Sequence, residues 1–277
     1  MKSISEVDVM EPLKLLAVFP HPDDETLGMG PTLAKYSGEG VETYLLCATR
    51  GERGWNGPQE EDPGLDALGM IREKELRCAA EALGLNEVTF LDYIDGDVDQ
   101  AAPHEIISGI VTHLRRIRPQ VVVTFSSDGN YGHPDHIALA QFTAAALVCA
   151  ADAQYIDSSD QPSHRVLKFY HMVDSKQLVE AIRQTIGEIS IGVDGVERRQ
   201  VGWEDWAITT RIDASDYFDA VWKAVLCHTS QLAGYGPFVD LPQETLKGFF
   251  STGNFVRVFS LVNGGRKVEQ DLFEGLR

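Results

Sequence analysis

Short apolar runs alternate along this chain with longer segments in which apolar residues recur at helical spacing. Val121–Phe125 (VVVTF) is the clearest apolar run, and its β-branched residues favour a central strand. In Leu65–Leu83 the apolar residues keep helical spacing, which predicts a helix that ends at Gly84. This alternation predicts right-handed βαβ units, and therefore a mostly parallel sheet in an α/β fold.

The remaining elements follow the same pattern. The predicted strands are Leu13–Phe19, Val41–Cys47, Val88–Leu91, Val121–Phe125, Val166–Met172, Ile208–Ile212 and Phe255–Val262. The predicted helices are Thr26–Tyr36, Leu65–Leu83, His104–Ile117, Asp135–Cys149 and Ala214–Gln231. Asp174–Glu204 has no strong periodicity and stays unassigned. We expect a Rossmann-like sheet with helices on both faces, an active site at the carboxyl ends of the strands, and one domain spanning residues 1–277.

Charge and cysteine usage narrow the class of protein. The net charge of −18 repels nucleic-acid phosphates and anionic lipid, so neither is an expected partner. The cysteines, Cys47, Cys78, Cys149 and Cys227, show no CxxC spacing and have largely apolar neighbours, which favours buried free thiols. No signal-peptide run or apolar stretch of about 20 residues is present, so we expect a cytoplasmic protein with no membrane partner.

A first cluster of polar residues, His21-Pro-Asp23-Asp24, follows the strand Leu13–Phe19. Imidazole and carboxylate groups are good zinc ligands, and two adjacent carboxylates can take separate roles. The alternative is an ordinary turn in which an aspartate caps a helix. A dinucleotide site at Gly28-Met-Gly30 is disfavoured, because Leu33 replaces the third glycine of that pattern and the acidic run would repel a pyrophosphate.

A second cluster follows the strand Val121–Phe125 and contains Tyr131-Gly-His133-Pro-Asp135-His136. If the two strands are neighbours, both clusters project from the same edge of the sheet. His136 would then join His21 and Asp24 as a third metal ligand, leaving one position open, as in catalytic zinc sites. The alternative is a surface loop with solvated histidines, which fits this concentration of polar groups less well.

The segments HPDDE and GHPDH, in this order, resemble the PIG-L/LmbE-like deacetylase family. Thr49-Arg-Gly-Glu52, Arg72-Glu-Lys-Glu75-Leu and His228-Thr-Ser-Gln231 agree with it, and the resemblance covers about Leu13 to Gln231. Phe19 and Pro31 depart from the family pattern. The resemblance implies that His21, Asp24 and His136 bind zinc, or another divalent metal such as Fe²⁺.

The resemblance also implies roles for neighbouring residues. Asp23 would be the general base, His133 would donate to the oxyanion or leaving group, and Asp135 would orient His133. Tyr131 would help to polarise the carbonyl. Arg72, Glu52 and His228 are candidate substrate-binding residues. Arg50 and Arg53 are further candidates, although each fits an ordinary surface or ion-pair residue better than a substrate contact.

The expected activity is hydrolytic removal of an N-acetyl group from an amino sugar or sugar conjugate of N-acetylglucosamine type. One alternative is a metal-dependent amidase acting on another N-acylated small molecule, such as a thiol conjugate, a glycopeptide-type sugar or a longer acyl chain. Another is a non-catalytic sugar-binding protein on the same fold. A homo-oligomer is compatible with the sequence.

Overall fold

The computed structural model describes residues 12–277, apart from 189 and 194. Its strands are β1 Lys14–Phe19, β2 Glu42–Thr49, β3 Glu87–Tyr93, β4 Val121–Phe125, β5 Lys168–Met172, β6 Ser190–Val193, β7 Val196–Arg199, β8 Thr210–Asp213 and β9 Thr252–Ser260. Its α-helices are α1 Asp24–Leu27, α2 Gly30–Gly38, α3 Leu65–Leu83, α4 Pro103–Ile117, α5 Gly129–Gly132, α6 Pro134–Ala151, α7 Lys176–Ile186, α8 Phe218–Cys227, α9 Leu232–Tyr235 and α10 Gln243–Phe249.

Seven strands form the main sheet, in the order β3-β2-β1-β4-β5-β9-β8. The first five of these strands are parallel, whereas β9 pairs antiparallel with β5 on one side and with β8 on the other. Strand β1 is central, and Ala17 pairs with Leu45 of β2 and with Val123 of β4. Because β1 and β4 are neighbours, the loops that follow them open on the same edge of the sheet.

Helices cover both faces of the sheet. Side chains on β1 alternate between the two faces, so Ala17 and Phe19 pack into one hydrophobic core and Leu16 and Val18 into the other. The first core includes residues of α2, α3 and α8, and the second includes residues of α4 and α6. The predicted Rossmann-like α/β architecture is confirmed.

Several predicted boundaries differ from the observed ones. The predicted helix Thr26–Tyr36 is divided into α1 and α2 by Gly28 and Met29. Ala214–Gln231 contains the shorter helix α8, because a 3₁₀ turn over Ser215–Tyr217 precedes it and the backbone leaves the helical conformation at His228. The unassigned region contains α7 and the β6–β7 hairpin, whose two strands pair with each other and not with the main sheet.

The cysteine prediction was wrong for two of the four residues. Cys78 on α3 and Cys227 at the end of α8 form a disulfide, with their Cα atoms 5.8 Å apart. Helices α3 and α8 pack closely together, so two cysteines separated by 149 positions become neighbours only in the tertiary structure. Cys47 and Cys149 are free. The disulfide removes the cysteine-based argument for a reducing compartment.

Helix α6 is the one described helix that is long and apolar enough to cross a membrane. Half of its residues are buried inside this fold, against β4, β1 and α4. Such burial is typical of the core helix of a globular domain, and α6 also carries His136 in its first turn, with His133 as its N-cap.

A buried ionic cluster fixes the C-terminal segment to the sheet. Glu269, which is 1% exposed, accepts a hydrogen bond from Lys168 Nζ at 2.7 Å and lies 3.0 Å from Arg257 Nη1. Its second carboxylate oxygen accepts from Tyr170 at 2.8 Å and from Thr210 at 2.7 Å. Burial alone would raise the pKa of Glu269, but these hydrogen bonds lower it to about 2.

Candidate active site

The two polar clusters meet at the carboxyl ends of β1 and β4. His21 and Asp24 lie in the turn after β1 and at the start of α1, whereas His136 lies in the first turn of α6. His21 Nδ1 is 3.3 Å from His136 Nε2 and 3.5 Å from Asp24 Oδ2. His136 Nε2 is 3.7 Å from Asp24 Oδ1. The predicted ligand atoms therefore converge on one point, and all three side chains are buried or nearly so.

These distances fit a zinc-sized ion. Zinc binds imidazole nitrogen and carboxylate oxygen at about 2.0–2.2 Å, so tetrahedral ligand atoms lie about 3.3–3.6 Å from one another. The two imidazole nitrogens lie 3.3 Å apart, and the Asp24 carboxylate lies 3.5 Å from His21 through Oδ2 and 3.7 Å from His136 through Oδ1, all close to this spacing. Three protein ligands leave a fourth position for water or a substrate oxygen.

The other ring nitrogen of His21 is held by carboxylates. His21 Nε2 lies 3.1 Å from both Asp95 Oδ1 and Asp135 Oδ2. A proton on Nε2 satisfies these acceptors and leaves the lone pair of Nδ1 free for a metal. A second possible ligand set, His21 with Asp95 and His133, would need this same Nε2 atom. The set with Asp24 and His136 is therefore the better metal site.

Asp135 is fully buried, and its carboxylate contacts the loop after β3 as well as His21. Its Oδ2 accepts a hydrogen bond from the backbone of Gly96 at 2.7 Å, and its Oδ1 accepts one from Val98 at 3.1 Å. The predicted orientation of His133 by this carboxylate was wrong. His133 is instead held by the backbone N–H of Asp135, which donates to His133 Nδ1 at 3.1 Å.

Asp23 lies beside the ligand set in a strained backbone conformation, with φ 102° and ψ −27°. Its carboxylate accepts hydrogen bonds from Arg72 and from Tyr235, both at 3.3 Å. Burial raises the pKa of Asp23 to about 6, and the positive charge of Arg72 opposes this rise. A carboxylate of this kind can both accept and return a proton near neutral pH.

Glu25 and His228 form a fully buried pair beneath Asp23. His228 Nε2 lies 2.9 Å from Glu25 Oε1, and Glu25 Oε2 accepts the backbone N–H of Asp23 at 2.9 Å. Burial alone would lower the pKa of His228, but the charge and hydrogen bond of Glu25, together with the charge of Asp23, raise it above its ordinary value. His228 is 0% exposed, so its predicted contact with substrate was wrong. It supports the backbone of Asp23 through Glu25.

His133 and Tyr131 face the cavity next to the metal ligands. The His133 ring stacks on that of His136, with 4.8 Å between centroids, and the Tyr131 ring lies edge-on to His136 at 5.2 Å. Burial, followed by the positive field of His21, lowers the pKa of His133, although the Asp135 carboxylate pulls it upwards. The Asp135 carboxylate therefore does not offset the effects of burial and of His21 on His133. Burial raises the pKa of Tyr131, which stays a phenol.

The other two residues predicted to contact substrate, Arg72 and Glu52, are hydrogen-bonded to groups of the protein itself. Arg72 is 3% exposed and donates to the carbonyl oxygens of Gly51 and Pro22 as well as to Asp23. Glu52 does not line the cavity, and its carboxylate accepts the backbone N–H of Asp95 at 3.1 Å. Arg72 therefore lines the cavity while holding Asp23 and the neighbouring loops, whereas Glu52 supports the loop after β3 from outside the cavity. Arg50 pairs with Glu73 and Asp92, and Arg53 pairs with Asp97.

Two cavity residues were missed in the sequence. Asp95 follows β3, so the rule that placed the first two clusters at strand ends could have found it. Tyr235 lies in α9, within a stretch that has no regular pattern, and no sequence signal marked it. Both contact residues already assigned to the site: Asp95 contacts His21, and Tyr235 contacts Asp23.

A cavity of about 770 Å³ opens above the metal ligands. Asp23, Tyr131 and His133 line it, as do Asp95 and Tyr235. Its volume falls within the range of about 300–1,000 Å³ that is typical of small-molecule sites. A three-ligand centre, a neighbouring carboxylate and an open coordination position at the edge of a parallel sheet together define a metal-dependent hydrolase.

Comparison with known proteins specifies the class further. A family model described as PIG-L, GlcNAc-PI de-N-acetylase, matches residues 16–147. A 1D-myo-inositol 2-acetamido-2-deoxy-alpha-D-glucopyranoside deacetylase of Streptomyces griseus is 34% identical, covering 95% of this chain and 89% of the relative. The chain belongs to the PIG-L family, and the resemblance drawn from HPDDE and GHPDH is confirmed.

Two further proteins are similar to this chain over nearly its whole length. A mycothiol S-conjugate amidase of Streptomyces coelicolor is 30% identical, covering 96% of this chain and 98% of the relative. The crystal structure of a conserved protein from Thermus thermophilus superimposes with a TM-score of 0.64 at 27% identity, covering 91% of this chain and 97% of the other. The similarity therefore includes the whole sheet and not only the motif segments.

Proposed function

We propose that this protein is a zinc-dependent hydrolase that removes an N-acetyl group from an amino sugar conjugate of N-acetylglucosamine type, releasing acetate and a free amine. The observation that carries the proposal is the convergence of His21, Asp24 and His136 within 3.7 Å, with the Asp23 carboxylate beside them. The named activity of the Streptomyces griseus relative supports this substrate class.

The chemistry needs an activated water and a polarised amide carbonyl. A divalent ion held by His21, Asp24 and His136 would supply both, because it lowers the pKa of bound water to about 7 and acts as a Lewis acid. Asp23 is placed to accept the proton of the attacking water. The hydrogen bonds from Arg72 and Tyr235 hold its carboxylate in position.

The oxyanion and the leaving amine have separate partners among the residues of the chain. His133 accepts the Asp135 N–H at Nδ1, so its remaining proton is on Nε2, available to the developing oxyanion. A doubly protonated His133 would place two N–H groups against each other at Nδ1. We therefore assign protonation of the leaving amine to Asp23, which returns the proton that it received. Tyr131 is a second candidate donor to the oxyanion.

Zinc is our first candidate for the ion, with Fe²⁺ as the alternative, because ligand type alone does not select between them. We further propose that the substrate is a small molecule, and that neither nucleic acid nor a membrane surface is a partner, in keeping with the net charge of −18. A cytoplasmic location stays a prediction, and so do a single domain over residues 1–277 and the oligomeric state.

The decisive experiment is a screen of N-acetylated sugars and sugar conjugates with protein of measured metal content, following free amine and acetate together. We expect equimolar release of both products from a substrate of N-acetylglucosamine type, and loss of turnover after chelation with recovery on adding Zn²⁺. Metal-loaded protein that binds such sugars without releasing acetate would instead support a sugar-binding protein.

A further inference from the structure

The cavity differs in chemistry on the two sides of the metal ligands. On one side lie the loops after β2 and β3, which contribute Arg53, Asn56 and Asp95. On the other side, beyond β4 and β5, apolar side chains predominate. The order β3-β2-β1-β4-β5 places the ligand set between these two regions, which we call the polar half and the apolar half.

The apolar half begins directly at the metal ligands. Leu27 follows Asp24 within the short helix α1, and the Phe125 ring stacks on that of His136 with 4.0 Å between centroids. Met172, at the end of β5, lies so close to Gly28 that a Cβ atom there would collide with its sulfur and methyl groups. Phe125 and Met172 are 3% and 5% exposed. No apolar group of this kind is needed to bind sugar hydroxyls.

Farther out, helix α7 forms one wall of the apolar half. Leu178, Ile182 and Ile186 are spaced four residues apart, so they lie on one face of α7, and all three line the cavity. None of the residues of α7 is fully buried, although this face is apolar. This apolar face of α7 therefore points into the cavity, and no other part of the described protein covers it completely.

Aromatic and aliphatic side chains of α8 and α10 also line the cavity. Trp222 and Val225 come from α8, and Phe249 and Phe250 come from the end of α10. The Trp222 and Phe250 rings lie 6.4 Å apart. Among the polar residues near α7, Gln200 donates to both Asn130 and Asp174 and Glu188 pairs with Arg199, whereas the buried Nε of Arg198 has no hydrogen-bond partner among the described residues. A ligand in this region would gain mainly by burying apolar surface.

We infer that the apolar half is an acyl subsite, and that the enzyme cleaves linear N-acyl chains longer than acetyl from an amino sugar. This inference rests on the proposed function. The scissile amide must lie at the metal ligands, and the sugar hydroxyls require the donors and acceptors of the polar half. The acyl group, attached to the other side of the amide, then extends along Leu27 and Met172 towards α7. Water adds its oxygen to the acyl carbon as the C–N bond breaks, giving a fatty carboxylate and the amine.

The test is a substrate series with one sugar and N-acetyl, N-butanoyl, N-hexanoyl and N-octanoyl groups, assayed by amine release with the zinc-loaded enzyme. Burying one methylene contributes about fourfold in affinity, so we expect kcat/KM to rise by at least tenfold between acetyl and octanoyl. A steady fall in kcat/KM from acetyl to octanoyl would overturn the inference while leaving the deacetylase proposal intact. No cleavage of any member, acetyl included, would overturn the proposed function itself.

A second series separates the acyl chain from the aglycone. Alkyl glycosides of N-acetylglucosamine carry the same added methylenes on the opposite end of the sugar. We expect little gain in kcat/KM along this series. If the gain appears here and not in the acyl series, the apolar half binds an aglycone, and the acyl assignment is wrong.

A pair of variants on α7 tests whether the dependence of kcat/KM on acyl-chain length arises in the apolar half. Ile182→Trp fills the apolar half, whereas Gln184→Trp adds the same side chain on the exposed face of the same helix. We expect Ile182→Trp to lower the ratio of octanoyl to acetyl kcat/KM by at least tenfold, and Gln184→Trp to leave this ratio unchanged. Equal ratios in the two variants would contradict the acyl subsite.

Discussion

Asp135 Oδ2 lies 3.1 Å from His21 Nε2, although 114 positions separate the two residues in the sequence. The contact turns the metal-binding nitrogen of His21 towards Asp24 and His136, and the same carboxylate accepts two backbone N–H groups of the loop after β3. One buried aspartate therefore connects the β1, β3 and β4 ends of the site.

Replacing Asp135 with Asn should weaken metal binding. The amide cannot accept from His21 and from both backbone groups as the carboxylate does, so His21 loses its fixed orientation, and affinity should fall by about 10- to 100-fold. Zinc competition with a chromophoric chelator measures the change, with a thermal melt to check folding. Asp99→Asn, an exposed change on the same loop, is the control. Unchanged affinity in Asp135→Asn would show that this contact does not support the ligand.

Replacing Asp23 with Asn should separate metal binding from proton transfer. Asn tolerates positive φ nearly as well as Asp, so the backbone can keep its conformation. We expect normal metal content and a fall in kcat of about 100- to 10,000-fold, because the amide cannot accept the proton of water. Asp24→Asn is the matched comparison and should lower metal content instead. Full activity in Asp23→Asn would exclude Asp23 as the base.

Reducing the Cys78–Cys227 disulfide should lower the free energy of unfolding. The bond closes a loop of 149 positions, and cross-links of this kind contribute about 2–5 kcal/mol, mainly by restricting the unfolded chain. Urea unfolding with and without a non-thiol reductant measures the difference. Cys78→Ser should be destabilised to a similar degree and should no longer respond to reductant. A variant that still responds would place the redox-sensitive bond elsewhere.

Stability should depend on Glu269 at acid pH. The pKa of Glu269 is lowered to about 2 in the folded state, so the stabilisation is present above its ordinary value of 4.5 and is lost as the pH falls towards 2. A shift of this size corresponds to about 3 kcal/mol. Unfolding free energies measured from pH 7 to pH 2.5 should fall less steeply in Glu269→Gln, which should also be less stable at pH 7. Parallel curves for the two proteins would contradict this account.

Local patterns were sufficient to predict the centre of the fold and the three side chains that come together as the candidate metal site. The apolar runs ending at Phe19 and Phe125 identify two buried strands, and the polar residues that follow each one must lie at the same edge if the strands are adjacent. His21, Asp24 and His136 could therefore be named together before their distances were known. That β1 lies beside β4 is seen only in the order of the strands in the sheet, and the local patterns had left it as a condition.

Partners of buried polar groups could not be predicted in the same way. Arg72, Glu52 and His228 were candidate substrate contacts because the stretches that contain them agree with the family pattern. Which group fills the space beside each of them depends on tertiary packing, and the structure places Asp23, Asp95 and Glu25 there. The disulfide was missed for the same reason, since only the packing of α3 on α8 brings its cysteines together.

The ligand set also has a consequence for the order of events during folding. His21 and Asp24 precede His136 by more than a hundred positions, so no short piece of chain carries a complete centre. Pairing of strands distant in sequence is a slow step, and an ion that binds only after β1 and β4 have joined stabilises only that late state. Acquisition of the metal during refolding should therefore lag behind helix formation, which would make it a marker for the moment at which the central sheet closes.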